Sequence, residues 1–585
     1  MIASSSTIHL GRPDFVILGG YFALVLLIGM YFRRKQKTSQ DYFAGGHQVS
    51  WWLAGISHYM SGFSAFTFVV YSEIAYRYGF VAIILFWTSV PACILGGSLF
   101  AARWRRARII TPVEFLEQRC SLTVRQLFAW SAIPAKIFED ALKIFTTALF
   151  LSAGMGVGIK TSVVLCGVIV VVYTVLGGLL ALVVTDYLQF LMKALAIVLL
   201  LPLAVWRVGG IRSAFASIPP DLMHAHNGPY GWAYIVSYLL IVGISYNGSW
   251  SFAQKYYSVP DERSGRRAAY LAAFLNFVGT PIMLLPAMMA RKLMPDFAAH
   301  QKPQDVYVHL IFELLPAGMV GIIVAALFSA TMATVSADLN AIASVLTKDF
   351  YQRILKPTAT ERRLVTIGRA MTLALGACIV GISIWLGQSG RSSLFNIMVT
   401  AFGVLLAPTL LPLLATLIFR RLSSKGVLCG FLAGMVCGIA TLTAKTLYIS
   451  HAGTNASQAL DYQLEGYSIF ANIFATCLGM YMGSKFLSTS SEETMRTTKF
   501  FERLATPIPA TESHITETQS GSSSFIIRLS TVAVGVLLIA SATLATTATA
   551  RWIDGSIGLA LGVFGTPWNN LRSRLQSTSV KGARL

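Results

Sequence analysis

Long apolar stretches separated by short polar connections run through most of this sequence. Lipid offers no partner for backbone N–H and C=O groups, so about 20 consecutive apolar residues predict a membrane-crossing helix. Fourteen segments fit, at about 15–32, 50–76, 79–102, 122–152, 159–177, 179–206, 232–254, 268–290, 316–347, 369–388, 393–419, 426–449, 466–486 and 524–549. The pattern predicts an all-α polytopic membrane protein with about 14 transmembrane helices. Residues 487–523 are polar and rich in Ser, Thr and Pro, which predicts a flexible cytoplasmic linker. Residues 524–549 form an additional span, and 550–585 a C-terminal tail whose apolar stretch 553–565 is too short to recross a bilayer.

Composition supports this class. Of 585 residues 55% are hydrophobic and only 12% charged, against roughly 25% charged in a soluble domain. Lys and Arg number 46 against 25 Asp and Glu, a net charge of +21. That excess sits in alternate connections: RRKQK (33–37), RWRRAR (103–108), Arg263/Arg266/Arg267, Lys348 to Arg369, and Arg420/Arg421/Lys425. Positive charge gathers on the cytoplasmic side of membrane proteins, which predicts an outside N-terminus and a cell (plasma or inner) membrane location. A nucleic-acid partner would need the charge on one soluble face, so none is predicted; the lipid bilayer is the expected partner. The first apolar run begins near Phe15 with its basic cluster after it, predicting a retained first helix. The basic tail residues Arg572, Arg574, Lys581 and Arg584 do not fit the alternation.

Neither the seven scattered cysteines nor the histidines show metal-ligand spacing, and no catalytic triad or nucleotide loop occurs, so an enzyme is not predicted. The second and seventh spans instead carry small polar residues at mid-depth: Ser57, Ser61, Gly62 and Ser64 in one, Ser245, Asn247, Gly248, Ser249 and Ser251 in the other. Such residues suit a broken helix that frees carbonyls for an ion, and also suit tight helix packing. The two spans are five apart, so units of five helices, about 50–206 and 232–419, would be inverted relative to each other. Charges at membrane depth mark pathways: Asp186 in span 6, and Asp338 among Ser329, Thr331, Thr334, Ser336, Asn340 and Ser344 in span 9. Span 4 adds Lys136, Glu139, Asp140 and Lys143, whose i,i+4 spacing predicts the pairs Lys136/Asp140 and Glu139/Lys143.

DYFAGG (41–46), MSGFSAFTF (60–68), TPVEFLEQR (111–119), YTVLGGLLALVVTDYLQ (173–189), QKYYSVPDERSGRR (254–267) and the span 9 block ending TKDFY (347–351) resemble the sodium/solute symporter family, over roughly 15–486. The resemblance implies a LeuT-type 5+5 inverted repeat with one extra N-terminal and about three extra C-terminal helices. It also implies a secondary active symporter coupling sodium influx to uptake of a small polar organic solute (a sugar, polyol, sialic acid or amino acid) by alternating access. The family's main sodium site falls on the carbonyls of Ser57, Met60 and Ala330 and on the hydroxyl-pair positions Ala333 and Thr334. One hydroxyl of that pair is thus absent. A second sodium site falls on Asp186 and Ser336.

Asp338 is outside the family pattern; on the Thr334 face at i+4, it is a candidate ion or proton ligand. The family's sugar-binding positions match Asn276 and Thr400; Tyr59, Ser64, Asp140, Tyr246 and Asn247 complete the candidate substrate set. Proton coupling through Asp186 or Asp338, and a solute sensor that does not transport, are the alternatives.

Overall fold

The computed structural model describes residues 11–34, 38–155, 157–297, 303–315, 319–388, 394–452, 457–509, 517–545 and 547–565. The basic tail from 566 onward and part of the expected linker, 510–516, lie outside the described residues. Every helix or strand assigned among the described residues is a helix, and nine are long and apolar enough to cross a membrane.

The chain opens with α1 (Arg12–Arg33). The second predicted span is two helices, α2 (Trp51–Ser61) and α3 (Ala65–Tyr78). Next come α4 (Val81–Arg106), the short α5 (Glu114–Arg119) and α6 (Leu122–Met155). Spans 5 and 6 form one 50-residue helical stretch, α7 (Ile159–Val208), interrupted at Gly178. A straight helix that long would extend about 75 Å, more than twice the hydrocarbon thickness of about 30 Å. Gly178 supplies the turn with φ 56° and ψ 179°, a conformation nearly restricted to glycine.

The seventh span again divides, into α8 (Trp232–Gly248) and α9 (Trp250–Tyr257). There follow α10 (Glu262–Leu293), α11 (Val306–Leu314), α12 (Met319–Val345, running on in a wider turn to Leu355), α13 (Glu361–Gln388) and α14 (Leu394–Ile418). The α12 span is buried throughout, so it is the central element against which the others pack. Outside the two five-helix units, α15 (Ser424–Ala452) and α16 (Ser457–Phe486) pair through small residues. A Cβ on Gly479 would lie 2.6 Å from the Cys429 carbonyl oxygen, the close backbone approach that small residues permit between membrane helices.

Two stretches differ from the sequence expectation. Part of the supposed flexible linker is α17 (Ser491–Ala505), docked at one end of the bundle. The buried Arg119 guanidinium donates to Thr497 of α17 at 2.6 Å and to the Leu422 carbonyl at 2.6 Å, and Phe500 stacks on Phe115 with centroids 5.7 Å apart. Counting polar residues missed the anchoring face of an amphipathic helix. The supposed tail contains α19 (Ala548–Gly565), which returns antiparallel along α18 (Glu517–Leu544). Its 18 residues span about 27 Å. The two helices are joined where the Ser541 hydroxyl donates to Asp554 Oδ2 at 2.8 Å and where Gly558 lies against Gly535.

Several Lys/Arg-rich connections meet at one end: Arg106 pairs with Glu262 at 2.7 Å, Arg119 bonds the Phe419 and Arg420 carbonyls, and the Ser39 amide reaches Glu361. Replacing Gly178 with Ala forces a side chain into its unusual conformation and is expected to cost about 1–3 kcal/mol, read as a lower Tm of the detergent-purified protein. Gly19→Ala, in an open helical position with nothing near the new methyl group, should not lower it.

Candidate functional site

The first break lies at Gly62, Phe63 and Ser64. Ser64 is extended (φ −143°, ψ 175°), and its amide is capped by the Thr67 hydroxyl at 3.2 Å. Gly62 is needed there because a Cβ would stand 2.5 Å from the hydroxyl of Tyr246 on the second broken helix. The second break is at Ser249 (φ −62°, ψ 139°). Asn247 pins that break: its amide donates to the Ala92 carbonyl at 3.0 Å and to Gly243 at 2.8 Å, while its own carbonyl accepts from Trp104 at 3.1 Å.

Beside the first break, the Ser57 hydroxyl donates to Asp186 Oδ2. Asp186 is 1% exposed, and its Oδ1 has no hydrogen-bond partner among the described residues. A buried carboxylate oxygen left open in this way is suited to a cation. The Ser57 carbonyl accepts from the Ser61 hydroxyl at 2.8 Å and the Met60 carbonyl from the Phe63 amide at 3.1 Å. On α12 the Thr334 hydroxyl bonds the Thr331 carbonyl at 3.0 Å and the Ala330 carbonyl at 3.5 Å, and Ser336 bonds Ala333 at 3.3 Å. Ala333 is buried beside them and contributes no side-chain oxygen.

Between the breaks lies a cavity of about 110 Å³. Ser64, Tyr246, Thr334 and Asp338 line it, together with Lys136, Glu139 and Lys143 of α6. The charged wall is one network. Lys143 contacts Glu139 at 2.8 Å, Asp140 at 3.1 Å and Asp338 at 3.2 Å, while Lys136 contacts Glu139 at 2.9 Å and Asp338 at 3.5 Å. The expected Lys136/Asp140 pair gives way to Lys136/Glu139. Glu139, the longer acid, bridges both lysines and leaves Asp140 to the remaining donor of Lys143. Asp338, a candidate ion ligand from the sequence, has its Oδ2 shared by two ammonium groups, so a metal ion there would compete with both.

The other candidates divide by position. Tyr59 is off the wall, packed on Phe63 with centroids 4.9 Å apart and under the Lys193 ammonium at 4.0 Å. Asp140 lies behind Lys143. The Asn276 amide is spent on its own helix at Ala272, 2.8 Å away, and Thr400 contacts Glu465 at 3.3 Å; neither lines the cavity. The sequence reading passed over Tyr71 and Tyr238, which meet hydroxyl to hydroxyl at 2.6 Å on the wall. In a chain with 22 tyrosines nothing local singles them out.

Losing one partner of a buried ionic network costs about 3–5 kcal/mol. Lys143→Met should therefore destabilise the protein by that amount, and Asp140→Asn in the same background should restore part of it, both read by thermal unfolding in detergent.

Comparison with known proteins fits this geometry. A sodium/sialic acid symporter of Aliivibrio fischeri is 25% identical over 453 residues, covering 73% of this chain and 86% of that protein. The sodium/iodide cotransporter of Homo sapiens is 28% identical over 459 residues, covering 73% and 70%. The solved structure of a Na+-coupled sialic acid symporter in a substrate-bound outward-open state superposes with a TM-score of 0.66 at 22% identity, covering 80% of this chain and 98% of that one. The architecture is the LeuT type expected from the sequence. The model of the sodium:solute symporter family matches residues 42–434, a span that contains both helix breaks, Asp186 and the charged cavity wall, and the chain belongs to that family.

Proposed function

We propose that this protein drives uptake of a small polar organic solute with inward sodium movement, the solute binding in the cavity between the two broken helices and sodium beside it. The observation that carries this reading is the open oxygen of Asp186, held by Ser57 where α2 approaches its break. A sodium ion there would be met by Asp186 and the hydroxyl of Ser57; Ser336 is a further candidate from α12. A main site nearer the cavity would use the carbonyls of Ser57, Met60 and Ala330 and the Thr334 hydroxyl, with Ala333 supplying backbone only. Thr334 lines the solute cavity itself, so ion and solute occupy adjoining space.

Coupling needs no chemistry. An ion that binds the outward-open arrangement better than the inward-open one shifts the population toward it, and the solute is taken up by the state the ion favours. We place the protein in the cell membrane with its N-terminus outside, since the connections richest in Lys and Arg would then be cytoplasmic. Relatives that carry ligands as unlike as sialic acid and iodide show that family membership alone leaves the solute open.

Sodium-dependent thermal stabilisation, with potassium as control cation, tests the ion sites without a known solute. Asp186→Asn and Thr334→Ala are each expected to raise the half-saturating sodium concentration by about tenfold, the equivalent of about 1.4 kcal/mol. Sodium stabilisation unchanged in both variants would overturn the assignment. In proteoliposomes, accumulation of a stabilising solute should cease when the sodium gradient is dissipated.

A further inference from the structure

The helices α4 and α10, each second in its five-helix unit, run antiparallel along a shared seam. A Cβ on Gly97 would stand 2.7 Å from Tyr270 Cε1, so the Tyr270 ring fills the notch that the glycine leaves. Further along, Trp87 stacks on Phe277 with centroids 5.0 Å apart, and its indole N–H donates to the Phe277 carbonyl at 3.0 Å. That carbonyl is available because Pro281, four residues on, has no N–H to offer it.

Each helix carries one outward stripe beside the seam. On α10, Arg266, Tyr270, Phe274 and Phe277 follow at intervals of four, four and three; on α4, Leu95, Leu99 and Arg103 follow at intervals of four. The apolar members are between 38% and 61% exposed. Both helices are long and apolar enough to cross a membrane, so lipid covers this face. From Trp87 to Arg103 the seam measures about 24 Å, most of the roughly 30 Å of hydrocarbon. The arginines therefore stand at headgroup level.

The two stripes end in arginine at the same end of the bundle, and Arg103 interacts electrostatically with Arg266 and Arg106. Residues 103–108 and 261–267 hold seven arginines against two acids, and both acids are spent. Glu262 pairs with Arg106 at 2.7 Å, and Asp261 accepts from the Ser264 amide at 2.7 Å. Arg105 is turned inward onto the Val259 and Pro260 carbonyls. Arg103 donates to the Leu99 carbonyl of its own helix, and Arg266 is exposed; neither has an acidic partner among the described residues. Elsewhere at this end, by contrast, Arg125 and Arg353 share Glu117, and Lys348 has Glu361.

The bias of positive charge toward one side accounts for the sign of these residues, but not for two arginines converging across helices at the foot of a lipid-facing seam. An anion between them offsets their repulsion, and guanidinium groups match phosphate oxygens in geometry. Basic pockets between membrane helices hold anionic headgroups in this way. A zwitterionic headgroup brings its own cation and leaves the surplus in place. We infer that the α4–α10 seam binds an anionic phospholipid, its phosphate held by Arg103 and Arg266 and its acyl chains laid along Leu99, Tyr270 and Phe274.

The test uses the full-length protein in detergent, with dioleoylphosphatidylglycerol, dioleoylphosphatidylcholine or inorganic phosphate added and thermal unfolding as the readout. Phosphatidylglycerol should raise the Tm, whereas phosphatidylcholine and inorganic phosphate should not. The seam variant Arg103→Gln/Arg266→Gln should need at least tenfold more phosphatidylglycerol for half-maximal stabilisation. Arg362→Gln/Arg363→Gln, at exposed positions where α13 begins, should leave that concentration unchanged. The assignment is overturned if phosphatidylcholine matches phosphatidylglycerol, if inorganic phosphate reproduces the shift, or if the seam variant responds no differently from the α13 variant. Where the seam variant does not fold, photoreactive phosphatidylglycerol tests the wild type directly. Label should concentrate in peptides of α4 and α10, and label spread evenly around the bundle would refute the site.

Discussion

A backbone that leaves the helix inside a membrane must find its hydrogen bonds elsewhere, and the centre of this protein is organised around that requirement. Where α2 ends, Thr67 caps Ser64 and the Tyr59 and Met60 carbonyls take the next two amides; where α8 ends, Trp104 takes the Asn247 carbonyl and the Asn247 side chain takes Ala92. These substitutes hold both breaks open to one cavity. The close contact of Gly62 with Tyr246, and the α6 charges facing Asp338, depend on the two breaks facing each other.

Much of this was legible in the sequence because membrane helices announce themselves by continuous apolarity. The breaks sit where MSGFSAF and SYNGSW interrupt it, and Asp186 stands out as a carboxylate in an apolar run. Partners from distant helices were less legible. Spacing on α6 gave the Glu139/Lys143 contact, but only the packing of α6 on α12 showed that both lysines converge on Asp338. Asn247, Asn276 and Thr400 are polar residues at membrane depth, yet their hydrogen bonds go to backbone or to another helix. Nothing in residue type separates an amide that meets a solute from one that steadies a helix. The docked α17 was hidden for a related reason: its apolar face is narrow, and its anchor, Arg119, lies hundreds of residues away.

Family resemblance and local chemistry speak to different parts of the molecule. The elements around Asp186, Ser57 and Thr334 are those to which the proposed function assigns the coupling ion. The cavity wall, where α6 faces α12, sets two acids and two lysines among aromatic rings. A shared scaffold with a variable wall is how one fold serves unlike solutes.

The clasp around Arg119 bears on how the chain is made. Its guanidinium is completed by carbonyls near residue 420 and by Thr497, which lies 378 residues further along the chain. At translation rates of about 5–20 residues per second, roughly 20–75 s separate the synthesis of Arg119 from that of its last partner. Until then the charge is satisfied by water, and the segments that will close over it are still emerging. Assembly of this end of the bundle is therefore a late event in biogenesis, governed by the arrival of α17 and not by the insertion of the first helices.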